Sequence, residues 1–228
     1  MKMHLLAAFC LAVLISVPGT ALQAKESTKL PDVTTDGLEL VKGSKLAIVY
    51  VLPDVDFSEY DKVMLLDAKV AFRKNWLRDQ NRGSRTRRIS SRDVENIKAE
   101  VAELFNQVFT EELTEGGYEL VDETEEDVLL VRPQIIDLDV YAPNTLRTSS
   151  SMQYAESAGK MTLHLELYDS VSGAVIARAL DLQADRERGH LDWQTKSGNR
   201  AAAEKMIKSW AVVLRTALDE TRSSGNSD

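Results

Sequence analysis

The sequence predicts an α+β domain of two layers, a mostly antiparallel sheet of about five strands with two long helices packed on one face. Two segments, residues 92–115 and 200–221, repeat apolar side chains at helical spacing. Several shorter segments alternate apolar and polar residues, most cleanly where Met161, Leu163, Leu165 and Leu167 interleave with Thr162, His164, Glu166 and Tyr168. The 228 residues are 43% hydrophobic and 28% charged, which suits one globular core that needs no disulfide or metal to hold it.

Residues 1–24 read as a signal peptide rather than as part of the fold. Lys2 supplies the positive end, an apolar run covers residues 5–17, and Pro18-Gly19 breaks it before the small residues Thr20 and Ala21. Cleavage after Ala21, with Gly19 two residues before it, fits the small-x-small pattern better than cleavage after Ala24, where Leu22 holds that position. The run is shorter than the roughly 20 apolar residues of a membrane span. Cys10, the only cysteine, lies inside it behind the bulky Phe9, so it is misplaced for lipid attachment and leaves with the leader. The exported chain then has no thiol and forms no disulfide. The expected location is periplasmic or secreted, with outer-membrane association left open.

A loose lead-in is expected over residues 25–45, punctuated by Pro31, Gly37 and Gly43, with one extended piece at 38–41. A single domain is expected over 46–222. It starts with a short apolar strand at 47–51. A second strand is expected over 61–72, with Met64, Leu66, Ala68, Val70 and Phe72 on one face. The first helix follows over 92–115, capped by Ser90 or Ser91, with Asp93 and Glu95 in its first turn and Gly116-Gly117 as its stop. Residues 118–121 extend again.

Residues 128–141 read as a long strand with a defect. Leu129 and Val131 are apolar at odd positions, Ile136, Leu138 and Val140 at even ones, and Pro133 between them suggests a bulge. A Ser- and Asn-rich loop covers 143–160. The alternating strand from Met161 then turns through residues 169–173 into a return strand carrying Ile176, Leu180, Leu182 and Ala184. The last helix, 200–221, is capped by Asn199, striped by Ala203, Ile207, Trp210, Ala211, Leu214 and Leu218, and followed by a frayed tail at 223–228.

Three stretches carry a family resemblance: Asp56-Phe-Ser-Glu-Tyr-Asp-Lys-Val63 running into Val70-Ala-Phe-Arg-Lys-Asn-Trp76; Val131-Arg-Pro-Gln-Ile-Ile-Asp-Leu-Asp-Val140 with Ala142-Pro143; and Leu165-Glu-Leu-Tyr-Asp-Ser-Val-Ser-Gly173 with the late Ser209-Trp-Ala211 helix. Their order and spacing over residues 35–222 resemble the bacterial envelope family known as domain of unknown function 3313. The resemblance implies a secreted, often lipoprotein-like chain and transfers no catalytic residue. The absence of a usable lipid-attachment cysteine departs from the lipoprotein pattern.

Charge is unevenly placed. Between Arg73 and Arg92 stand eight basic residues, Arg73, Lys74, Arg78, Arg82, Arg85, Arg87, Arg88 and Arg92, against the single acid Asp79. Residues 111–127 hold nine acids and no base. In a chain of net charge −8, so local an excess of guanidinium groups marks Arg78, Arg82, Arg85, Arg87 and Arg88 as a candidate binding site for carboxylates or phosphates. The bland alternative is a solvated connector. Pairing with the acidic turn of the same molecule is ruled out by the length of the intervening helix, about 36 Å; pairing between copies stays open. Trp76 is either a contact residue among these arginines or a continuation of the core after Phe72.

The sequence pI near 5.1 argues against a nucleic-acid partner. H-E-x-x-H, G-x-S-x-G, a phosphate-binding P-loop, G-x-G-x-x-G and C-x-x-C are all missing from the sequence, so no cofactor or metal is expected. The expectation is a non-enzymatic envelope protein whose partner is an envelope protein or an anionic surface; the sequence does not fix its oligomeric state. Two alternatives remain. Asp137 and Asp139 with His164 and Glu166 could form a carboxylate–imidazole cluster on the outward sheet face, for a metal or for acid–base chemistry, if their strands pair suitably. A small-ligand binder would instead need an apolar pocket between helices and sheet, and His190 and Trp193 lie in a loop that could reach such a ligand.

Overall fold

The computed structural model describes residues 29–82, 88–140, 154–155, 159–184, 192–193 and 196–225. Met1–Leu30 groups apart from Pro31–Asp228, and the fold is that of the second unit. Its strands are β1 (Glu39–Leu40), β2 (Ile48–Val51), β3 (Lys62–Leu65), β4 (Lys69–Phe72), β5 (Glu119–Leu120), β6 (Val128–Val140), β7 (Tyr154–Ala155), β8 (Gly159–Asp169), β9 (Val175–Ala184) and β10 (Asp192–Trp193). Its helices are α1 (Trp76–Gln80), α2 (Ser91–Glu115) and α3 (Lys196–Gly225), with one 3-10 turn at Phe57–Glu59. Among the described residues no helix is long and apolar enough to cross a membrane.

The two-layer α+β architecture with two long helices is present, but the sheet is mixed and has eight strands rather than about five mostly antiparallel ones. Its order is β1-β2-β9-β8-β6-β3-β5, with β4 also on β6, while β7 and β10 pair separately. The pairs β1–β2, β2–β9, β9–β8 and β8–β6 are antiparallel; β3–β5, β3–β6 and β4–β6 are parallel. The parallel half follows from connectivity. α2 carries the chain from the far end of β4 back to the start of β6, and such a helical crossover returns the second strand in the same direction as the first.

The expected strand over 61–72 is two strands. β3 pairs with Val128–Val131 and β4 with Gln134, Ile135 and Leu138 of the same neighbour. The break at residues 66–68 switches which side chains face the helices, so Val63 and Leu65 but then Ala68, Val70 and Phe72 meet the core, while Leu66 points to the other face. An unbroken apolar alternation concealed that switch. Pro133 falls between the residues paired with β3 and those paired with β4, where the missing N–H interrupts no ladder. It stays in register opposite Leu165. The bulge in β6 lies further on, between Ile136 and Asp139, with Asp137 at φ +53°. The sequence had placed it at Pro133; the adjacent Ile135 and Ile136 make both registers apolar and hide its actual position.

In β9 the inward face carries Ala177, Ala179 and Asp181, whereas Leu182 is 60% exposed. The larger residues Leu180 and Leu182 had suggested the opposite orientation. Small side chains there let α3 lie close to the sheet. α2 and α3 pack side by side on that face, sharing one core with Leu129, Val131, Ile135, Met161, Leu163 and Leu165. α2 starts at a reciprocal capping box, in which Ser90 Oγ accepts from Asp93 N–H and Asp93 Oδ2 accepts from Ser90 N–H. It stops at Gly116, followed by Gly117 at φ +81°, a conformation glycine reaches without steric cost. α3 is longer than the expected 200–221. Asn199 lies inside it instead of capping it, and the helix runs through the expected tail to Gly225.

Candidate functional site

The basic segment leaves the sheet at the end of β4. Its first guanidinium is consumed locally: Arg73 reaches Asp79 Oδ2 and Asp139 Oδ2, each at 2.8 Å. The hydrogen bond from Arg73 draws the Asp79 carboxyl below its ordinary value. Trp76 belongs to the core. It is 1% exposed, stacks on Phe72 with ring centroids 3.9 Å apart, and donates its indole N–H to Val140 O at 2.8 Å. The residues around it form α1, which follows Asn75 in a left-handed conformation; the sequence had suggested only a connector.

Asn81 then closes the segment. Its side-chain Nδ2 donates to Ile89 O at 3.0 Å, and its Oδ1 accepts from Ile89 N–H at 2.7 Å. One amide thus copies the two-bond pattern of a paired strand residue and joins the two sides of the segment that carries Arg82, Arg85, Arg87 and Arg88. Arg82 and Arg88 are exposed, as are Lys74 and Arg92 on either side. Arg78 is 68% exposed and touches Asp79 only at 3.4 Å. Arg85 and Arg87 lie outside the described residues. Sequence reading found the arginines but missed Asn81, since a lone asparagine in a polar stretch carries no signal until its partner's position is known.

At the opposite end of α2, Glu119, Asp122, Glu123, Glu125 and Glu126 are exposed. Lys62 pairs there with Glu125, and with Asp127 at 3.2 Å.

The proposed carboxylate–imidazole cluster does not assemble. Register puts Gln134 opposite His164 and Lys160 opposite Asp139, so His164 and Asp139 stand four residues apart along the ladder, about 13 Å. Asp139 is held by Arg73, and Asp137 sits exposed at the bulge. Glu166, only 6% exposed, is bound by Arg178 at 3.1 Å and Arg132 at 3.2 Å and accepts from Tyr168 Oη at 2.9 Å. Among the described residues no group of three or more His, Cys, Asp or Glu is placed to hold a metal ion. His190 lies outside the described residues, and Trp193 falls in β10. An open cavity of about 290 Å³ occurs on the sheet face away from the helices, lined by Leu66, Leu130, Arg132 and Tyr168 among others, not between the layers as a small-ligand binder was expected to show.

The family model described as "Protein of unknown function (DUF3313)" matches residues 27–214. The chain belongs to this family. Among solved structures, this DUF3313 chain is similar to a PelC dodecamer from Paraburkholderia phytofirmans, at 11% identity over 73% of this chain and 96% of that one, with a TM-score of 0.39. It is similar as well to a minor lipoprotein from Acinetobacter baumannii, at 11% identity over 69% of this chain and 94% of that one, TM-score 0.35. Protein XCC0632 from Xanthomonas campestris, a DUF330 protein, shows 10% identity over 70% of this chain and 87% of that one, TM-score 0.38. No curated protein matches.

Proposed function

We propose that this DUF3313 protein is exported to the cell envelope through its 1–24 leader and acts there without catalysis, by engaging an anionic partner through Arg78, Arg82, Arg85, Arg87 and Arg88. The observation that carries this reading is the Asn81–Ile89 clasp. It fixes Asn81 and Ile89 side by side, with Arg82 and Arg88 next to them in sequence, and preorganised cations lose less conformational entropy on binding than the same side chains on an open chain. The contrast with Arg73 supports it. Where this chain needs a guanidinium for its own structure it supplies two carboxylates at 2.8 Å, and it supplies nothing comparable to Arg78. Guanidinium groups recognise carboxylates and phosphates through paired hydrogen bonds, which gives such a loop geometric selectivity as well as charge.

The test is crosslinking in intact cells with the wild-type chain and with an Arg82→Glu/Arg85→Glu/Arg87→Glu/Arg88→Glu variant. The variant is expected to keep its fold and lose its crosslinked partners, and wild-type association is expected to weaken with salt. An unchanged set of partners would contradict the reading.

A further inference from the structure

The sheet face turned away from the helices holds a guanidinium that the fold leaves short of acceptors. Arg73, Arg178, Arg215 and Arg222 each meet two or more carboxylate or carbonyl oxygens. Among the described residues Arg132 meets one, Glu166 Oε2 at 3.2 Å, and lies 5.6 Å from the centre of the Tyr168 ring. Its Nε is buried without an acceptor among those residues, while 42% of the side chain stays exposed. A guanidinium has five N–H donors, so most of this one's capacity is unspent. Glu166 does not depend on it, because Arg178 Nε and the Tyr168 hydroxyl each donate to one of its two carboxyl oxygens.

Arg132 also lines the open cavity of about 290 Å³ on this face, with Leu66, Leu130 and Tyr168. Strand pairing brings these four together. Leu130 and Arg132 alternate with the core residues Leu129 and Val131, and they stand opposite Tyr168 and Glu166 of β8. Leu66, just beyond β3, donates its N–H to Val131 O between them. Asp169, Ser170 and Gly173 complete the wall, and the two polar side chains are already engaged. The Asp169 carboxylate accepts from the Ser172 N–H and hydroxyl and from the Tyr60 hydroxyl, and Ser170 Oγ donates to Glu125 O at 2.7 Å. Apolar walls beside one cation with free donors favour a singly charged anion on an apolar body. A dianionic phosphate needs more than one guanidinium already shared with Glu166, and a small hydrated ion gains nothing from the leucines.

We propose that this cavity binds a carboxylate carried on a short apolar group, with Arg132 on the carboxylate and Leu66, Leu130 and the Tyr168 ring around the apolar part. The site shares no residue with the arginine segment of the proposed function and stands whether or not that segment binds a partner.

Phenylacetate, with about ten non-hydrogen atoms, suits the volume and is the probe. Its titration into the purified protein, read by NMR at labelled leucine methyls, is expected to shift Leu66 and Leu130 and to leave Leu104 and Leu113 on the helix side unmoved. A Kd of about 1 mM is expected for a ligand of this size. Phenylacetamide keeps the shape and loses the charge; Arg132→Gln keeps a donor and loses the guanidinium. Each change is expected to weaken binding about tenfold or more. Leu66→Trp keeps Arg132, fills the cavity and is expected to abolish the Leu130 shift. Circular dichroism and melting temperature check that both variants fold. A four-residue peptide ending in phenylalanine separates the sources of the acid. Binding tighter than phenylacetate and lost on C-terminal amidation assigns the site to a chain terminus; equal or weaker binding assigns it to a free small acid. Three results would each overturn the proposal: no leucine shift at about 20 mM phenylacetate, an amide that binds as well as the acid, or Arg132→Gln without effect on a folded protein.

Discussion

Trp210 and Asp181 join the last helix to the sheet in the interior, with the indole Nε1 donating to Asp181 Oδ2 at 2.8 Å. The other carboxyl oxygen accepts from Ala47 N–H at 2.9 Å, so one acid fixes α3, β9 and the approach to β2 together. Asp181 is 6% exposed. Replacing it with Ala strands the buried indole N–H of Trp210 and removes the acceptor of the Ala47 N–H, and Asp181→Ala is expected to lower unfolding free energy by about 2–3 kcal/mol. Trp210→Phe removes one donor and keeps most of the ring volume, and is expected to lose about 1 kcal/mol. Urea titrations of both variants measure this; equal losses would show that the indole's volume matters more than its hydrogen bond.

Asn81 predicts a local effect. Asn81→Ala removes both hydrogen bonds to Ile89 while leaving the core untouched. Global stability is expected to fall by no more than about 1–2 kcal/mol. Trypsin is expected to cut among Arg82, Arg85, Arg87 and Arg88 several-fold faster than in the wild type, because a released loop fits a protease more readily. Unaltered cleavage rates would mean that the clasp does not restrain the loop.

Glu166 gives the acid side of the pH profile. Burial pushes its carboxyl upward, but the Tyr168 hydroxyl and the Arg178 and Arg132 guanidiniums outweigh that, and the net shift is below 4.5. A carboxyl depressed in the folded state contributes stability that is full above its unfolded value and is lost as pH falls through the folded one. Stability is therefore expected to hold down to about pH 4.5 and to decline below it. Glu166→Gln should be less stable near pH 7 and show a shallower acid decline in the same urea series. Parallel profiles would remove Glu166 from the account.

Tyr118 gives the alkaline side. Burial leads in pushing its phenol up to about 12, the nearby Arg222 guanidinium opposes this, and the hydroxyl's bond to Asp219 adds to the rise. Arg222 also lies 3.8 Å from the ring centre and caps it. Since the folded state holds this proton more tightly than the unfolded chain does, stability is expected to fall from about pH 10 towards 12. Tyr118→Phe should flatten that slope. Absorbance of the phenolate during the titration identifies the group directly, and ionisation near pH 10 in the folded protein would contradict the assignment.

Much of the secondary structure was legible because helical and period-two patterns are local. The Ser90 cap, the Gly116-Gly117 stop and the Met161–Leu167 alternation all lie within a few residues of what they determine. The switches of face after Leu66 and around Asp137 were not legible in the same way. Apolar residues occupy both parities just before each switch, at residues 63–66 and 135–136, and only the neighbouring strand decides which set turns inward. The arginine excess could be counted directly. That Arg73 is spent on Asp79 and Asp139, and that Asn81 binds Ile89, depended on residues brought near by folding. The proximity once expected of Asp139 and His164 failed for the same reason, because strand register, set by pairing across the sheet, moved them apart.

The order of residues alone settled that two long helices form, where α2 begins and ends, and how charge is distributed along the chain, since these depend on neighbours a few positions away. Tertiary structure decided the parallel pairing of β3 and β4 with β6, the inward turn of Asp181, and which arginines keep their charge exposed. Each of those is a competition among distant partners for the same hydrogen bond or the same buried volume, and a linear pattern does not specify its outcome.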